Sequence, residues 1–213
     1  MIELSDASAR LGQRLDEVRR KIETAARRCG RDPKEITLVA VSKTHPVEIL
    51  LAAIANGVTD FGENRVQEAE SKIPRVGHKA ARWHLIGHLQ TNKANRAVKL
   101  FDIIHTLDSV SLAERLDRLC AEGGRDKLDV LVQVDLGGET TKSGVSAREL
   151  PELFNVVSRC SRLRLRGLMT LPPFFEDSAG VRPYFRSLRE LRDKLAADGL
   201  FGESQGELSM GMS

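Results

Sequence analysis

Aromatic residues are scarce in this sequence. There are 1 Trp, 1 Tyr and 7 Phe among 213 residues, too few for the stacking surface on which single-stranded nucleic acids bind. Hydrophobic residues nevertheless make up 41% of the chain, so a sizeable core must form from Leu, Ile, Val and Ala side chains. This composition is typical of helices packed on parallel strands, and it excludes a disordered chain.

The sequence also lacks a charge excess, a cysteine framework and a long apolar segment. Its 33 basic and 30 acidic residues give a formal net charge of +3, which argues against a dedicated nucleic-acid-binding protein. Cys29, Cys120 and Cys160 show no metal-ligand spacing, so we expect a reduced, cytoplasmic protein. No stretch approaches the roughly 18 apolar residues of a membrane span, and the charged N-terminal segment has no signal-peptide core. We therefore expect no membrane association.

Apolar periodicity predicts alternating helices and strands. Helical spacing predicts an N-terminal helix over residues 4–29, and the continuous run 36–41 predicts a parallel strand covered on both faces. Further strands are predicted near residues 58–61, 83–86, 102–107, 129–134, 163–169 and 207–210, and helices near 46–56, 63–73, 91–99, 109–121, 147–158 and 179–197. Seven strands alternating with helices indicate a single α/β domain over residues 1–213, wound as a barrel or an open sheet.

Polar residues gather where these strands are predicted to end, which is where βα barrels carry their sites. Lys43 follows the first strand, and its amine is able to form a Schiff base, although a solvated loop lysine is the commoner alternative. Asn64 follows the second strand and offers both donors and an acceptor, but capping of the next helix explains it equally well. The segment 209–213 offers Ser hydroxyls and backbone N–H groups that suit a phosphate.

Other familiar chemistries find little support in the sequence. His84 and His88 are four residues apart, but the stretch begins on a predicted strand rather than a helix, so we reject a zinc site. The sequence has no Gly-x-Ser-x-Gly elbow and no cysteine beside a plausible histidine partner, so acyl transfer has no support.

Five strings occur in order and with natural spacing, at residues 39–44 (VAVSKT), 61–68 (FGENRVQE), 83–93 (WHLIGHLQTNK), 167–173 (GLMTLPP) and 208–213 (LSMGMS). Together they resemble the pyridoxal phosphate homeostasis protein family, also called the YggS or proline synthetase co-transcribed (PROSC) family. The resemblance implies a fold similar to the alanine racemase N-terminal domain, a (β/α)8 TIM-type barrel. It also implies bound pyridoxal 5′-phosphate (PLP).

Residue by residue, the resemblance implies that Lys43 holds PLP as a Schiff base and that Asn64 is a cofactor neighbour. His84 and Met169 match strand-end positions expected to line the cofactor site. Ser209 and Gly211, with Met210 between them, are expected to form part of the phosphate cup. The resemblance implies no catalytic residue and no metal ligand.

The function that the resemblance implies is intracellular PLP homeostasis by a monomeric carrier without an established turnover reaction. PLP-dependent apoenzymes are the expected recipients, and nucleic acid is not an expected partner. The alternative is a PLP-dependent amino-acid racemase or a related enzyme acting at the α-carbon. Family members continue beyond the final Ser-Met-Gly-Met-Ser with a further helix and strand, so we expect the barrel, over about residues 36–213, to be incomplete here.

Overall fold

The computed structural model describes residues 2–137 and 144–211. In these ranges, helices and strands alternate along the chain. The helices are α1 (Ile2–Arg28), α2 (Val47–Ala55), α3 (Val66–Val76), α4 (Ala94–Leu100), α5 (Val110–Glu122), α6 (Leu150–Val157) and α7 (Arg182–Ala197). The strands are β1 (Ala40–Val41), β2 (Asp60–Glu63), β3 (Arg82–Leu85), β4 (Ile103–Leu107), β5 (Leu128–Gln133), β6 (Leu163–Met169) and β7 (Glu207–Ser209).

The strands follow chain order in the sheet, from β1 to β7. The pairs β1–β2, β4–β5, β5–β6 and β6–β7 are parallel, as expected where a helix connects each strand to the next. The predicted α/β fold with seven strands is therefore confirmed. Closure into an eight-stranded barrel, with its last strand missing from this chain, stays a prediction, and so does the single domain.

The chain forms two compact units, and the first contains residues 1–63 and 67–84. In this unit α1 packs on α2. The Arg19 guanidinium donates to the carbonyl oxygens of Asn56 at 3.0 Å and Gly57 at 2.9 Å, which satisfies acceptors just after the end of α2. The stacked rings of Phe61 and Trp83, 5.5 Å apart, connect β2 to β3.

The second unit contains residues 64–66 and 85–213. Every residue of β4 and β5 is buried, as expected for parallel strands covered on both faces. Ile103, Leu131 and Met169 pack together from three neighbouring strands, with Leu171 against them. This apolar cluster supports the carboxyl end of β6, where the chain turns into the next loop.

The first strand differs from the prediction. The sequence predicts a strand over residues 36–41 covered on both faces, whereas β1 has only two residues and Val41 is 38% exposed. The reason is position, because β1 stands at one end of the sheet order and has an edge strand's exposure. The prediction of a fully covered first strand is therefore wrong.

Some helix boundaries also differ from those predicted. Two helices predicted to begin at residues 91 and 179 start instead with short 3₁₀ turns, Thr91–Lys93 and Ser178–Val181, before α4 and α7. Such turns are common at helix ends. Within the described residues, none of the helices combines the length and the apolar character needed to cross a membrane.

Candidate functional site

Lys43 lies two residues after the end of β1, on the carboxyl side of the strand, and its side chain is exposed. Ser42, one residue earlier, is only 3% exposed, and its N–H donates to Gly62 O at 2.9 Å, which extends the β1–β2 ladder. Thr44, one residue later, has a φ of 65°, a left-handed conformation that β-branched residues rarely adopt. The Lys43 side chain thus extends from a short backbone segment between a residue hydrogen-bonded to β2 and a residue in the left-handed conformation.

A buried ion pair, between Lys72 and Glu63, contacts the backbone next to Lys43. The Lys72 ammonium group donates to Glu63 Oε1 at 2.8 Å and to the carbonyl oxygen of Ser42 at 2.7 Å. The Ser42 hydroxyl donates to the same Glu63 oxygen at 2.7 Å. Glu68 accepts a hydrogen bond from Thr44 N–H at 3.1 Å and lies 3.6 Å from the Lys72 ammonium group. We call Ser42, Glu63, Glu68 and Lys72 the Lys72 cluster.

Asn64 follows β2 directly and is half-buried. Its backbone lies against Gly87, where a Cβ atom would be only 2.2 Å from Asn64 O. A residue with any side chain at position 87 would therefore displace Asn64. The glycine in the loop after β3 is explained by this close approach rather than by flexibility.

His84 lies within β3 and is 3% exposed. Its Nε2 atom is 2.9 Å from Asp60 Oδ1. Burial acts to raise the pKa of Asp60, but the hydrogen bonds from His84 and Thr59 and the positive charges of His84 and Arg82 outweigh burial and lower it. In the first unit, His84 is thus the partner of a buried carboxylate.

The predicted residues at the carboxyl ends of β6 and β7 come together in the second unit. Met169 pairs with Ser209 in the parallel register of the two strands, and Thr170 N–H donates to Ser209 O at 3.2 Å. Met169 is fully buried, whereas Met210 is 39% exposed. Gly211 has a φ of 88°, and a Cβ atom there would meet nothing within 4 Å. The remaining members of this motif, Met212 and Ser213, lie outside the described residues.

His105 is a member of this group that the sequence patterns do not reveal. It lies on β4, is 5% exposed, and its Nδ1 atom is 2.8 Å from Ser209 Oγ. The two residues are 104 positions apart in the chain, so no local spacing connects them. The available signal is a histidine in the largely apolar run 103–107 (IIHTL), because an imidazole in a buried strand needs a polar partner.

His88, rejected above as a metal ligand, pairs with a carboxylate. Its Nδ1 atom is 3.2 Å from Asp108 Oδ2. Burial raises the pKa of Asp108, although the charge of His88 and its hydrogen bond act in the opposite direction. Over residues 2–137 and 144–211, no group of three His, Cys, Asp or Glu side chains is arranged to hold a metal ion.

Two chemically distinct groups result, one in each unit. Lys43 and His84 belong to the first unit, and the first of them offers an accessible primary amine. Asn64, Met169, Ser209, Met210 and Gly211 belong to the second. There, the hydroxyl of Ser209 lies on the last residue of β7 and a left-handed glycine follows two residues later, an arrangement suited to an anion such as a phosphate ester.

Comparison with known proteins identifies relatives over nearly the whole chain. The family "Alanine racemase, N-terminal domain" matches residues 13–213. A pyridoxal phosphate homeostasis protein of Aquifex aeolicus is 39% identical over 94% of this chain and 87% of its own length. The protein of the same name from Escherichia coli is 46% identical over 76% of this chain and 70% of its own.

Solved structures agree with these matches. PipY of Synechococcus elongatus, in a structure described as having PLP bound, is 37% identical, covers 90% of this chain and 89% of its own, and superposes with a TM-score of 0.71. Alanine racemase of Corynebacterium glutamicum is 15% identical over 91% of this chain and 52% of its own, with a TM-score of 0.60, which shows a shared fold. The chain thus has the alanine racemase N-terminal domain fold and belongs to the pyridoxal phosphate homeostasis protein family.

Proposed function

We propose that this protein binds PLP covalently through Lys43 and contributes to PLP homeostasis as a carrier rather than as a catalyst. The observation that carries this proposal is the position of Lys43, exposed at the carboxyl end of β1 while both of its neighbours are held by hydrogen bonds. The relatives' name and the PLP reported with PipY support the choice of cofactor. We propose PLP-dependent apoenzymes as the recipients.

Bound PLP would supply an aldehyde that joins reversibly to a primary amine and a phosphate ester that anchors the molecule. Lys43 provides the amine. Because its side chain is exposed, Nζ would be accessible to the aldehyde without any rearrangement of the core, and their condensation would release water. The same exposure would leave the carbon–nitrogen bond to Lys43 open to water or to another amine, and either would free the Lys43 amine and release the cargo, as a carrier requires.

Within the second unit, we propose the turn at the end of β7 as an element suited to bind a phosphate ester. Ser209 Oγ and the backbone N–H groups of Met210 and Gly211 are the donors, and the space beside Gly211, where a Cβ would meet nothing within 4 Å, leaves the backbone open to an anion. His105 Nδ1 is 2.8 Å from Ser209 Oγ, and with Nδ1 as the donor it would orient that hydroxyl and leave the hydroxyl proton for the anion. The residues present therefore fit a phosphate ester.

The other predicted residues receive different roles in this proposal. Asn64 is half-buried and offers its amide to a polar substituent of the cofactor ring. Met169 is fully buried in the apolar cluster, and His84 is paired with Asp60. We therefore propose that these two residues support the strand ends instead of contacting the cofactor.

The test is a PLP titration followed by visible absorbance and equilibrium dialysis. We expect the parent protein to turn yellow and to bind PLP, and Lys43→Ala to stay colourless with binding weakened by at least about 100-fold, since the covalent bond is lost. Lys34→Ala, which removes another exposed lysine of the first unit, is the matched control and should behave like the parent. Undiminished binding and colour in Lys43→Ala would refute the proposal.

A further inference from the structure

The backbone on both sides of Lys43 is fixed by buried and half-buried charges. Lys72 Nζ donates to the carbonyl oxygen of Ser42 at 2.7 Å, before the lysine, and Glu68 accepts from Thr44 N–H at 3.1 Å, after it. We propose that the Lys72 cluster is a positioning device that sets the direction in which Lys43 leaves the backbone. This inference rests on the proposed function, because it concerns how the same amine reaches the cofactor.

The energetic penalty of burying the cluster argues for a specific purpose. Glu63 is fully buried and Lys72 is 8% exposed, and taking two charges out of water is unfavourable even when they pair. Apolar side chains could anchor helix α3 to β2 without that penalty. What an apolar pair cannot supply is a donor to a backbone carbonyl, and Lys72 directs one donor to Ser42 O and another to Glu63.

The conformation of Thr44 points to the same role. Its φ of 65° is disfavoured because Cβ crowds the backbone, and a threonine persists there only where its surroundings hold it. Glu68 supplies that hold through the Thr44 N–H. Lys43 therefore lies between a residue anchored in the β1–β2 ladder and a residue held in a left-handed turn.

Positioning matters for a lysine more than for a shorter side chain. Four rotatable bonds let Nζ occupy many positions. Because the side chain is exposed, the backbone conformation at Lys43 is what restricts the direction in which it points. Displacing a reacting atom by about 1 Å can cost on the order of 100-fold in rate. Loosening Ser42 or Thr44 should therefore slow attachment of the cofactor while leaving the amine chemically intact.

A nearby ion pair provides the matched control. Arg75, also on α3, lies 3.4 Å from Glu48 on α2, and both side chains are more than half exposed. This pair bridges the same helix to a neighbour but touches neither residue flanking Lys43. Arg75→Met thus removes a helix-linking charge without disturbing the proposed device.

The decisive variants are Glu68→Ala, which removes the acceptor for Thr44 N–H, and Glu68→Gln, which keeps an acceptor oxygen. The Glu68 side chain is 29% exposed, so its loss should leave the protein folded. Lys72→Met is the stronger perturbation, and if it fails to fold, the two Glu68 variants decide the question.

Two measurements are made on each full-length variant. Amide hydrogen exchange across residues 42–45 is followed without cofactor, and the rate of PLP attachment is followed by absorbance from pH 6 to 9. We expect Glu68→Ala to speed exchange at Thr44 and to slow attachment by about tenfold or more at every pH. Glu68→Gln should restore most of both, and Arg75→Met should match the parent.

The outcomes that differ from these expectations distinguish failure of the positioning inference from failure of the proposed function. Attachment at the parent rate in Glu68→Ala and in folded Lys72→Met would overturn the positioning inference and leave the proposed function standing. Slower attachment with unchanged exchange at Thr44 would also overturn it, because the effect would not act through the backbone. Failure of the parent protein to attach PLP at all would instead refute the proposed function.

Discussion

Single residues show how strongly pairing modifies a buried charge, and Asp60 is the clearest case. Its pKa is pushed up by burial but lowered overall by His84, Thr59 and Arg82. A carboxyl group whose pKa is lower in the folded than in the unfolded state stabilises the fold above its ordinary pKa of 3.8. That contribution is lost as the pH falls through the lowered folded value.

We therefore expect Asp60→Asn to reduce the free energy of unfolding near pH 7 by about 1–3 kcal/mol, because His84 keeps a weaker acceptor. The deficit relative to the parent should shrink as the pH falls below 4. Urea unfolding between pH 3 and pH 7 measures both effects. Asp16→Asn, at an exposed position on α1, should change little, and a deficit for Asp60→Asn that is constant with pH would contradict this account.

The residues also differ in how far the sequence can predict them. The sequence singles out Lys43 and Ser209 because their short motifs resemble those of the family and follow predicted strands, and their roles stay proposals. The sequence does not single out the partners that hold them, since Glu63 contacts Ser42 from 21 positions away and His105 contacts Ser209 from 104. Such contacts depend on the register between strands, which local patterns do not contain.

At the scale of secondary-structure elements, the pairing of β6 with β7 positions the turn proposed to bind phosphate. Gly167 on β6 faces Glu207 so closely that a Cβ atom would lie 2.0 Å from Glu207 O and 2.5 Å from its N. Both contacts are with backbone, which cannot move aside without parting the strands. Ser209, two residues along β7, depends on that pairing.

We expect Gly167→Ala to lower the free energy of unfolding by about 1–3 kcal/mol through overpacking. PLP affinity should also fall, because Ser209 moves with β7. Denaturant unfolding and PLP titration test the two effects. Gly137→Ala is the control, since among the described residues its Cβ would meet side-chain atoms, Pro173 Cγ at 3.4 Å and Asp135 Oδ1 at 3.8 Å, rather than backbone, and it should change stability by less than about 0.5 kcal/mol. Unaltered stability and PLP affinity in Gly167→Ala would show that the close β6–β7 contact determines neither the stability of the protein nor the position of Ser209.

Elements are the most predictable level of this structure. All seven strands lie within a few residues of their predicted positions, because apolar, β-branched runs bounded by polar loops mark buried parallel strands. The burial of β1 is the exception. Its apolar sequence predicts a strand covered on both faces, but β1 stands at the end of the sheet order and Val41 is exposed. The hydrophobicity of a segment indicates that it tends to be buried. It does not show whether neighbouring strands and helices are present to cover it.

At the scale of the whole molecule, the question is whether the chain carries PLP or catalyses with it. A racemase needs a second acid or base about 3 Å from the substrate α-carbon, opposite the lysine. We expect the PLP-loaded protein to show no sustained loss of the α-hydrogen signal when single L-amino acids are incubated in deuterated water and followed by NMR. Free PLP under the same conditions sets the background rate. Continued exchange above that background, abolished in Lys43→Ala, would establish an enzyme instead.

The most direct test of the whole account locates the bound cofactor on the chain. The full-length protein is incubated with excess PLP, reduced with borohydride, cleaved with a protease and mapped by mass spectrometry. We predict a phosphopyridoxyl group on the peptide that contains Lys43, in preference to the other exposed lysines. An unmodified Lys43 in the presence of excess PLP, or label spread over surface lysines in proportion to their exposure, would contradict the central claim.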